Sequence, residues 1–531
     1  MQYIQNPILK GFNPDPSIIR VGEDYFIATS TFEWFPGVQI HHSKDLVNWQ
    51  LINRPLNRTS QLNMNGNIDS GGVWAPCLTY HDGIYYLIYT DVKTTHSFWK
   101  DTHNYLLMTD DIYGEWSEPI YLNSSGFDPS LFHDDDGRKW LVNLVWDHRK
   151  GTNRFGGILL QEYSPEERKL IGPVKNIFPG TELGLTEGPH LYRKGDYYYL
   201  LTAEGGTSYD HAVTIARSKN IDGPYEVHPD NPILTSKGDP DLELQKAGHA
   251  DLVETEKGEW YMVHLCSRPI TEKNHSVLGR ETAIQKIVWK DDWPYLEDGS
   301  NKPALKVPAP ELDASNREEK SNKIVRRYDF NTEELDIDFQ TLRIPLGEDS
   351  LSLKERPGYL RLKGAESLRS KHHQSLIARR QQAFRYTVTT CLEYEPETFQ
   401  EMAGLVCYYN TEHFYYLNLS WDEGKGKCLG IICSDHGDFD QPLSDEISLE
   451  GFEKVYLKAE VDYEKLQFYY STDAEKWKAV GPVLDASILS DDYVSYDGRW
   501  GFTGAFVGLC CQDLSGQRKA ADFEYFDYIE R

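Results

Sequence analysis

A repeat that occurs five times in the first half of this 531-residue chain constrains its fold more than any other feature. Each copy is a turn followed by an aromatic-rich strand, as in DGIYYLIYT from Asp82 and KGDYYYLLTAEGG from Lys194. A turn followed by alternating β-formers predicts a β-hairpin. A period near 60 residues is typical of the four-stranded blades of a β-propeller, so five copies predict five blades. The aligned aromatic residues, spaced by 60, 54, 58 and 63 residues, are Phe26, Tyr86, Trp140, Tyr198 and Tyr261.

A segment rich in proline and charge separates this part from the rest of the chain. It reads SNKPALKVPAPELDASNREEKSNK over residues 300–323, a composition that indicates a connection between domains. Beyond it, VYLKAEV at residues 455–461 alternates apolar and polar side chains, and several similar short strands predict a β-sandwich. The predicted fold class is therefore all-β, a five-bladed β-propeller followed by a C-terminal β-sandwich. The predicted domains are a propeller at residues 1–305, a linker at 306–323 and a sandwich at 324–531.

A second repeat lies 11 or 12 residues before each aligned aromatic residue and reads PDPSII, WAPCLT, FDPSLF, TEGPHL and GHADLV in turn. The innermost strands of propeller blades line the central axis, so equivalent positions should converge at one end of it. Three copies carry a carboxylate, namely Asp15, Asp128 and Glu187. A single Asp in D-P-S is typical of a turn or cap, but three at matching positions predict a catalytic site. Their mutual repulsion raises at least one pKa, which supplies a protonated acid beside an ionised base.

Composition narrows the classes of partner. The formal charge of 55 − 83 = −28 makes nucleic acid an unlikely ligand. Aromatic residues make up 13% of the chain and suit both β-sheets and sugar rings. No apolar run approaches about 18 residues, so we expect no membrane span. The N-terminus has neither a basic nor an apolar signal region, and the eight cysteines form no CxxC pair, so we expect a cytoplasmic protein with reduced thiols.

The motifs NPDPS, WAPC, FDPS, TEGPH, GRETAIQ and WGFTGAFVG occur in this order, and together the chain resembles family 43 of the glycoside hydrolases over its whole length. The nearest resemblance is to the two-domain β-xylosidase branch. It implies a five-bladed β-propeller, a concanavalin-like sandwich that closes the active site, and hydrolysis with inversion. It also implies that Asp15 is the general base, that Glu187 is the general acid, and that Asp128 tunes the pKa of the acid and orients it. An inverting pair of carboxyls is about 6.5–9.5 Å apart, which leaves room for water.

The same resemblance implies a substrate pocket. Arg280 in LGRETAIQ would donate hydrogen bonds to sugar hydroxyls, although a structural ion pair is the alternative interpretation. Phe506 in FTGAF would come from the sandwich and close the pocket. Phe32, Trp74 and Trp146 would form the aromatic walls of the first sugar subsite, and the alternative for them is the core of a blade. Ala75 is also predicted to bind substrate.

His249 occupies the carboxylate-equivalent position of the fifth copy. In some members of the family a histidine near the propeller axis contacts a calcium or other ion, so His249 is the candidate metal contact. The alternative is a hydrogen-bonded structural histidine. The chemistry itself requires no cofactor, because the carboxylates supply both the acid and the base.

The leading hypothesis is an exo-acting enzyme that releases D-xylose from the non-reducing ends of 1,4-β-D-xylo-oligosaccharides. The alternative within the same site is an α-L-arabinofuranosidase or an enzyme with both activities. A retaining fructosidase would carry N-D-P-N where this chain has P-D-P-S. A non-catalytic sugar-binding propeller would not depend on Asp15. The expected partner is a small oligosaccharide, with no nucleic acid and no membrane, and analogy suggests a homodimer or homotetramer.

Overall fold

A computed structural model describes residues 2–94, 98–311 and 324–531. Five antiparallel sheets in the first part are the blades of a β-propeller. Blade 1 comprises Ser17–Val21, Asp24–Thr29, Gln39–Ser43 and Gln50–Asn53; blade 2 comprises Gly72–His81, Ile84–Val92, Thr102–Thr109 and Ile120–Asn123; blade 3 comprises Ser130–His133, Lys139–Trp146, Phe155–Ser164 and Lys169–Phe178; blade 4 comprises Glu187–Lys194, Tyr197–Glu204, Ala212–Ser218, Glu226–Val227 and Leu234–Thr235; and blade 5 comprises Gln245–Glu254, Trp260–Ser267, Arg280–Lys290 and Trp293–Leu296.

The predicted hairpins are the first two strands of each blade. The second strands carry all five aligned aromatic residues, and the first strands contact one another in a closed ring around the axis. The prediction of a five-bladed propeller is therefore confirmed. Tyr3–Gln5 pairs with Lys306–Pro308, which ties the start of the chain to its continuation beyond the last blade. Lys306–Pro308 falls within the predicted linker at 306–323, whose residues 312–323 lie outside the described residues.

Two antiparallel sheets form the C-terminal sandwich, as predicted. Apolar side chains from both sheets fill the space between them, among them Leu405, Val455, Leu457 and Phe523. The first sheet comprises Val325–Tyr328, Leu351–Ser352, Leu360–Lys363, Arg385–Glu393, Lys454–Asp462, Lys465–Ser471, Lys478–Asp485 and Ala520–Glu530, and the second comprises Ser375–Arg380, Glu401–Asn410, His413–Asp422, Gly426–Asp435, Asp438–Asp440, Ile447–Ser448 and Phe506–Asp513.

The sandwich packs directly against the propeller. Trp34–Phe35 of the propeller pairs with Thr341–Leu342 of the sandwich in a two-stranded sheet. A 3₁₀ turn, Ala486–Ile488, and a short α-helix, Asp491–Val494, lead into a segment that reaches the propeller face. Within the described ranges, no helix has the length and apolar character needed to cross a membrane.

Candidate active site

In each blade, one residue in the innermost strand or just before it has its backbone in the left-handed region. These residues have φ values of 53° at Asp15, 31° at Ala75, 55° at Asp128, 57° at Gly188 and 45° at His249. Proline follows the first four of them, and in blades 2, 4 and 5 the strand register shifts at this point. A left-handed residue in a bulge re-aims its side chain away from the regular strand alternation. The repeated motif is therefore a bulge that turns one side chain toward the end of the axis.

These backbone angles correct the alignment of the five repeats at blade 4. The equivalent of Asp15 and Asp128 in blade 4 is Gly188, and a Cβ on Gly188 would lie 3.1 Å from the His249 ring. Glu187 precedes the bulge residue, as Trp74 does in blade 2 and Phe127 in blade 3. Glu187 therefore occupies the position that carries an aromatic wall residue in two other blades. The three carboxylates converge on one site, but Glu187 reaches it from a different position in the repeat.

A cavity of about 600 Å³ opens at this end of the propeller. Asp15, Asp128 and Glu187 all line it, so the three predicted carboxylates meet in one site. Ala75 is buried and does not line the cavity. Its N–H donates to Ser30 Oγ (2.8 Å), so its contribution is indirect. The other residues predicted from the sequence that line the cavity are Phe32, Trp74, Trp146, His249 and Arg280.

Asp15 is held by neighbours on both carboxylate oxygens. Its Oδ2 accepts a hydrogen bond from Ser30 Oγ (2.7 Å), and its Oδ1 lies 3.4 Å from Arg280 Nη1. His249 Nδ1 is 3.9 Å from the same Oδ1. Asp15 is therefore oriented by a hydroxyl on one oxygen and faces the guanidinium of Arg280 on the other.

The pKa of Glu187 is raised to about 7, because burial and the charge of Asp15 outweigh the opposing charges of Lys100 and Arg280. Burial and the charge of Glu187 also raise the pKa of Asp128. Asp128 Oδ2 accepts the N–H of Gly188 (3.0 Å), which links it to the residue after Glu187. Two buried carboxyls with raised pKa values retain a proton at neutral pH, and an acid–base mechanism requires such a proton.

Arg280 connects the two domains at the cavity. Its Nη2 and Nε donate to the carbonyl oxygen of Phe502 at 2.7 and 3.2 Å, and its Nη1 lies 3.2 Å from Thr207 Oγ1. The guanidinium is 5.0 Å from the centroid of the Phe502 ring and 5.1 Å from that of Phe32. The side chain is therefore fixed at the cavity wall, with Nη1 facing Asp15.

The prediction that Phe506 closes the pocket is wrong. Phe506 is fully buried and stacks on Trp34 of the propeller, with ring centroids 3.7 Å apart and planes 13° apart. Phe506 belongs to a strand of the second sheet, and its side chain packs in the interface between the domains. Phe502, four residues earlier in the same motif, lines the cavity together with Trp500. The sandwich does contribute to the cavity, through the loop that precedes the strand.

Several cavity residues were not predicted from the sequence, among them Lys100 and Phe127. Lys100 Nζ lies 4.5 Å from the ring centroid of Trp146, 5.1 Å from that of Phe127 and 5.2 Å from that of Trp74. Burial lowers the pKa of Lys100, and Glu187 and Asp128 oppose this shift. Phe127 could have been found from its place before Asp128. Lys100 lies in a loop between strands of blade 2 and carries no sequence signal.

His249 has few ligands around it that suit an ion. It is buried, and burial lowers its pKa to about 4, which leaves a neutral imidazole. Calcium requires six to eight oxygen ligands, and the nearest carboxylate, Asp15, already binds Ser30 and faces Arg280. A cation here would compete with Arg280, so these residues fit a substrate hydrogen bond better than a calcium site. The ion contact stays a prediction.

Known proteins share this sequence and fold. Residues 4–294 match the family described as Glycosyl hydrolases family 43, and residues 327–529 match the Beta xylosidase C-terminal Concanavalin A-like domain. A "Beta-xylosidase" of Bacillus subtilis is 54% identical and covers 99% of this chain and 100% of its own. A "Xylosidase/arabinosidase 43B" of Humicola insolens is 51% identical over 99% of this chain and 98% of its own. The solved xylan beta-1,4-xylosidase of Bacillus halodurans is 58% identical, with a TM-score of 0.96 over 99% of this chain and 100% of its own.

Proposed function

Because the chain belongs to family 43 of the glycosyl hydrolases, we propose that it is a β-xylosidase that removes D-xylose from the non-reducing ends of 1,4-β-D-xylo-oligosaccharides with inversion. The observation that carries the proposal is one aromatic-walled cavity with three carboxylates, among them Glu187 with a pKa raised to about 7. The relatives named as β-xylosidases align over nearly the whole chain and support the substrate class.

In this mechanism Asp15 removes a proton from the attacking water. Ser30 and Arg280 hold its carboxylate on either oxygen, so one orientation is maintained while the water approaches. A base whose hydrogen bonds are already formed loses little entropy when the substrate arrives. The water attacks the anomeric carbon from the face opposite the leaving group, which inverts the configuration.

Glu187 protonates the leaving oxygen. Its raised pKa keeps part of the population protonated at neutral pH, which a free glutamate would not achieve. Asp128 acts through Glu187: it bonds to the neighbouring N–H of Gly188, and its proximity to Glu187 helps the pair to retain a proton. Asp128 is therefore a positioning residue in this scheme.

Exo action follows from the shape of the site. Trp500 and Phe502 come from the sandwich and complete a cavity whose other walls belong to the propeller. A cavity closed on one side accepts the end of a chain and excludes its interior. The shape therefore supports release of terminal sugars.

α-L-Arabinofuranosides are the second candidate substrate. The Humicola insolens relative is named for both activities, and it is 51% identical to this chain. The two sugars present similar hydroxyl positions to the same donors, so the same carboxylates would serve both reactions.

One experiment tests the proposal: proton NMR of xylobiose hydrolysis by the wild type and by Asp15→Ala and Glu187→Ala. The expected first product is α-xylose, and both variants should lose several powers of ten in kcat/KM. Glu187→Ala should retain most activity on aryl xylosides with good leaving groups, because these need no acid. Parallel rates on nitrophenyl arabinofuranoside give the ratio of the two activities.

A β-xylose product would overturn the inverting mechanism. Wild-type rates in both variants would overturn the site assignment. His42→Asn is a suitable control, because His42 bonds to Asp24 in blade 1 and does not line the cavity.

We also propose a cytoplasmic location. All eight cysteines are buried, and none of them forms a disulfide, which suits a reducing compartment.

Repeating the kinetics with a chelator tests whether an ion is required, and light scattering tests the dimer or tetramer expected by analogy.

A further inference from the structure

Three potential metal ligands lie together at one end of the second sheet of the sandwich. They are His413, at the start of one strand, and Asp435 and His436, at the end of the next. One ligand atom from each lies within 4.8 Å of the others. We propose that these residues form a binding site for a divalent transition metal of the zinc type, separate from the cavity described above.

Hydrogen bonding fixes the tautomer of His413 in the form that a metal requires. Its Nδ1 lies 2.9 Å from Asn410 Oδ1, and the same Oδ1 accepts the N–H of Glu412 at 2.9 Å. The Asn410 atom is thus an acceptor, so Nδ1 carries the proton and Nε2 presents a lone pair. A metal-binding histidine usually donates its other N–H to such an oxygen. The His413 side chain is buried, so it is held in this position.

His436 faces that lone pair. Its Nδ1 is 3.1 Å from His413 Nε2. Two nitrogens bound to one tetrahedral zinc at about 2.0–2.1 Å are about 3.3 Å apart, so little movement would admit an ion. The backbone of His436 is left-handed (φ 50°), and its ring stacks on Tyr493 with centroids 4.7 Å apart. Both features hold the imidazole toward His413.

The third ligand, Asp435, has a carboxylate oxygen that lacks a hydrogen-bond partner. Its Oδ2 accepts a hydrogen bond from the Tyr493 hydroxyl (3.0 Å), whereas its Oδ1 is buried and has no hydrogen-bond partner. His436 Nε2 lies 3.8 Å from this oxygen, which is too far for a hydrogen bond. A buried carboxylate oxygen without a partner costs free energy. A cation between Asp435 and the two imidazoles would satisfy it.

The ligand types indicate the class of metal. Two imidazoles and one carboxylate suit Zn²⁺ or Co²⁺, and a water completes a four-coordinate site. Ca²⁺ and Mg²⁺ prefer more oxygen ligands than these residues offer. The competing arrangement is a direct hydrogen bond between the two imidazoles, with no metal affinity.

Isothermal titration calorimetry with Zn²⁺, and visible absorption with Co²⁺, on the full chain without an affinity tag test the site. One ion per chain should bind with a dissociation constant in the micromolar range or below. His436→Gln and Asp435→Asn should each weaken binding at least tenfold. Both positions are partly exposed, so these variants should fold where a change at buried His413 would not.

The control variant His372→Gln alters an exposed histidine of the sandwich that bonds to Asn65. It should bind Zn²⁺ as the wild type does. A wild-type dissociation constant above the micromolar range would overturn the proposal. Binding that survives both His436→Gln and Asp435→Asn would overturn it as well.

Discussion

At the scale of single residues, the protonation of Glu187 depends on a balance of charges within one cavity. Burial and Asp15 raise its pKa to about 7, and Lys100 and Arg280 oppose them. Lys100 also opposes the increase in the pKa of Asp128. The carboxyls interact, so the apparent pKa values belong to the group. Lys100 therefore lowers the highest pH at which Glu187 stays protonated.

The variant Lys100→Met tests this balance. It removes a positive charge that stabilises ionised Glu187, so the pKa of the acid should rise. The general acid must be protonated, so the basic limb of the profile of kcat/KM against pH should move upward by about one unit. Lys169→Met, which alters an exposed lysine paired with Glu167, should leave the limb in place. A limb that stays fixed or moves downward in Lys100→Met would contradict the assignment.

At the scale of elements, the short helix Asp491–Val494 carries two neighbouring acids with opposite environments. Burial raises the pKa of Asp491 to about 7, although the Tyr409 hydroxyl donates to it at 2.8 Å. Burial also acts on Asp492, but the buried Lys246 at 2.7 Å and the N–H of Ser276 lower its pKa overall. The Tyr409 hydroxyl also accepts the N–H of Thr503 (3.3 Å), next to Phe502. The helix therefore anchors the loop that completes the cavity.

The two acids should respond to substitution with opposite signs. The pKa of Asp491 is higher in the folded chain than in the unfolded chain. The protonated side chain therefore contributes its full stabilisation below about pH 4, and this stabilisation is lost as the pH rises toward 7. The free energy of unfolding of Asp491→Asn should therefore increase relative to the wild type between about pH 5 and about pH 8. The increase should be at most about 1.4 kcal/mol for each pH unit. Asp492→Asn should lose about 3–5 kcal/mol near neutral pH, because Lys246 is left buried and unpaired. Thermal unfolding of both variants across this pH range measures the two changes in stability. Changes of the same sign in the two variants would contradict the prediction.

At the scale of the whole molecule, one hydrophobic cluster spans the interface between the propeller and the sandwich. Phe12 and Trp34 of the propeller pack in the same cluster as Tyr408 and Phe506 of the sandwich. Arg380 Nε donates to the carbonyl of Phe12 at 2.7 Å. The two domains therefore support each other, and the cavity depends on the position of both.

Phe506 and Phe502 provide a matched pair for separating stability from substrate binding. Phe506→Ala removes a fully buried ring and should lower the free energy of unfolding by about 3–5 kcal/mol. Phe502→Ala removes a wall of the cavity but keeps the carbonyl that holds Arg280. It should raise KM for xylobiose about tenfold with little change in Tm. Thermal unfolding and steady-state kinetics on both variants measure this. A higher KM in Phe506→Ala together with a lower Tm in Phe502→Ala would instead indicate that Phe506 lines the cavity.

Much of the fold and part of the site could be predicted from the sequence. Turns and alternating strands are local patterns, so five hairpins at a regular period predicted five blades. The convergence of Asp15 and Asp128 followed from that symmetry, whereas Glu187 lies one residue before the equivalent position in its blade. The exact equivalence of Glu187 could not be predicted, because the left-handed residue that re-aims the side chain is visible only in the backbone angles.

The sequence by itself determined the class of fold, the number of blades and the matching positions of Asp15 and Asp128, because these depend on short-range patterns repeated along the chain. Only the tertiary structure decided which residues complete the cavity. Phe502 faces it and Phe506 does not, because the docking of the sandwich sets which part of one short motif reaches the propeller. Lys100 enters from a loop with no recognisable pattern. Contacts between segments distant in the chain depend on packing, and packing leaves no local signal in the sequence.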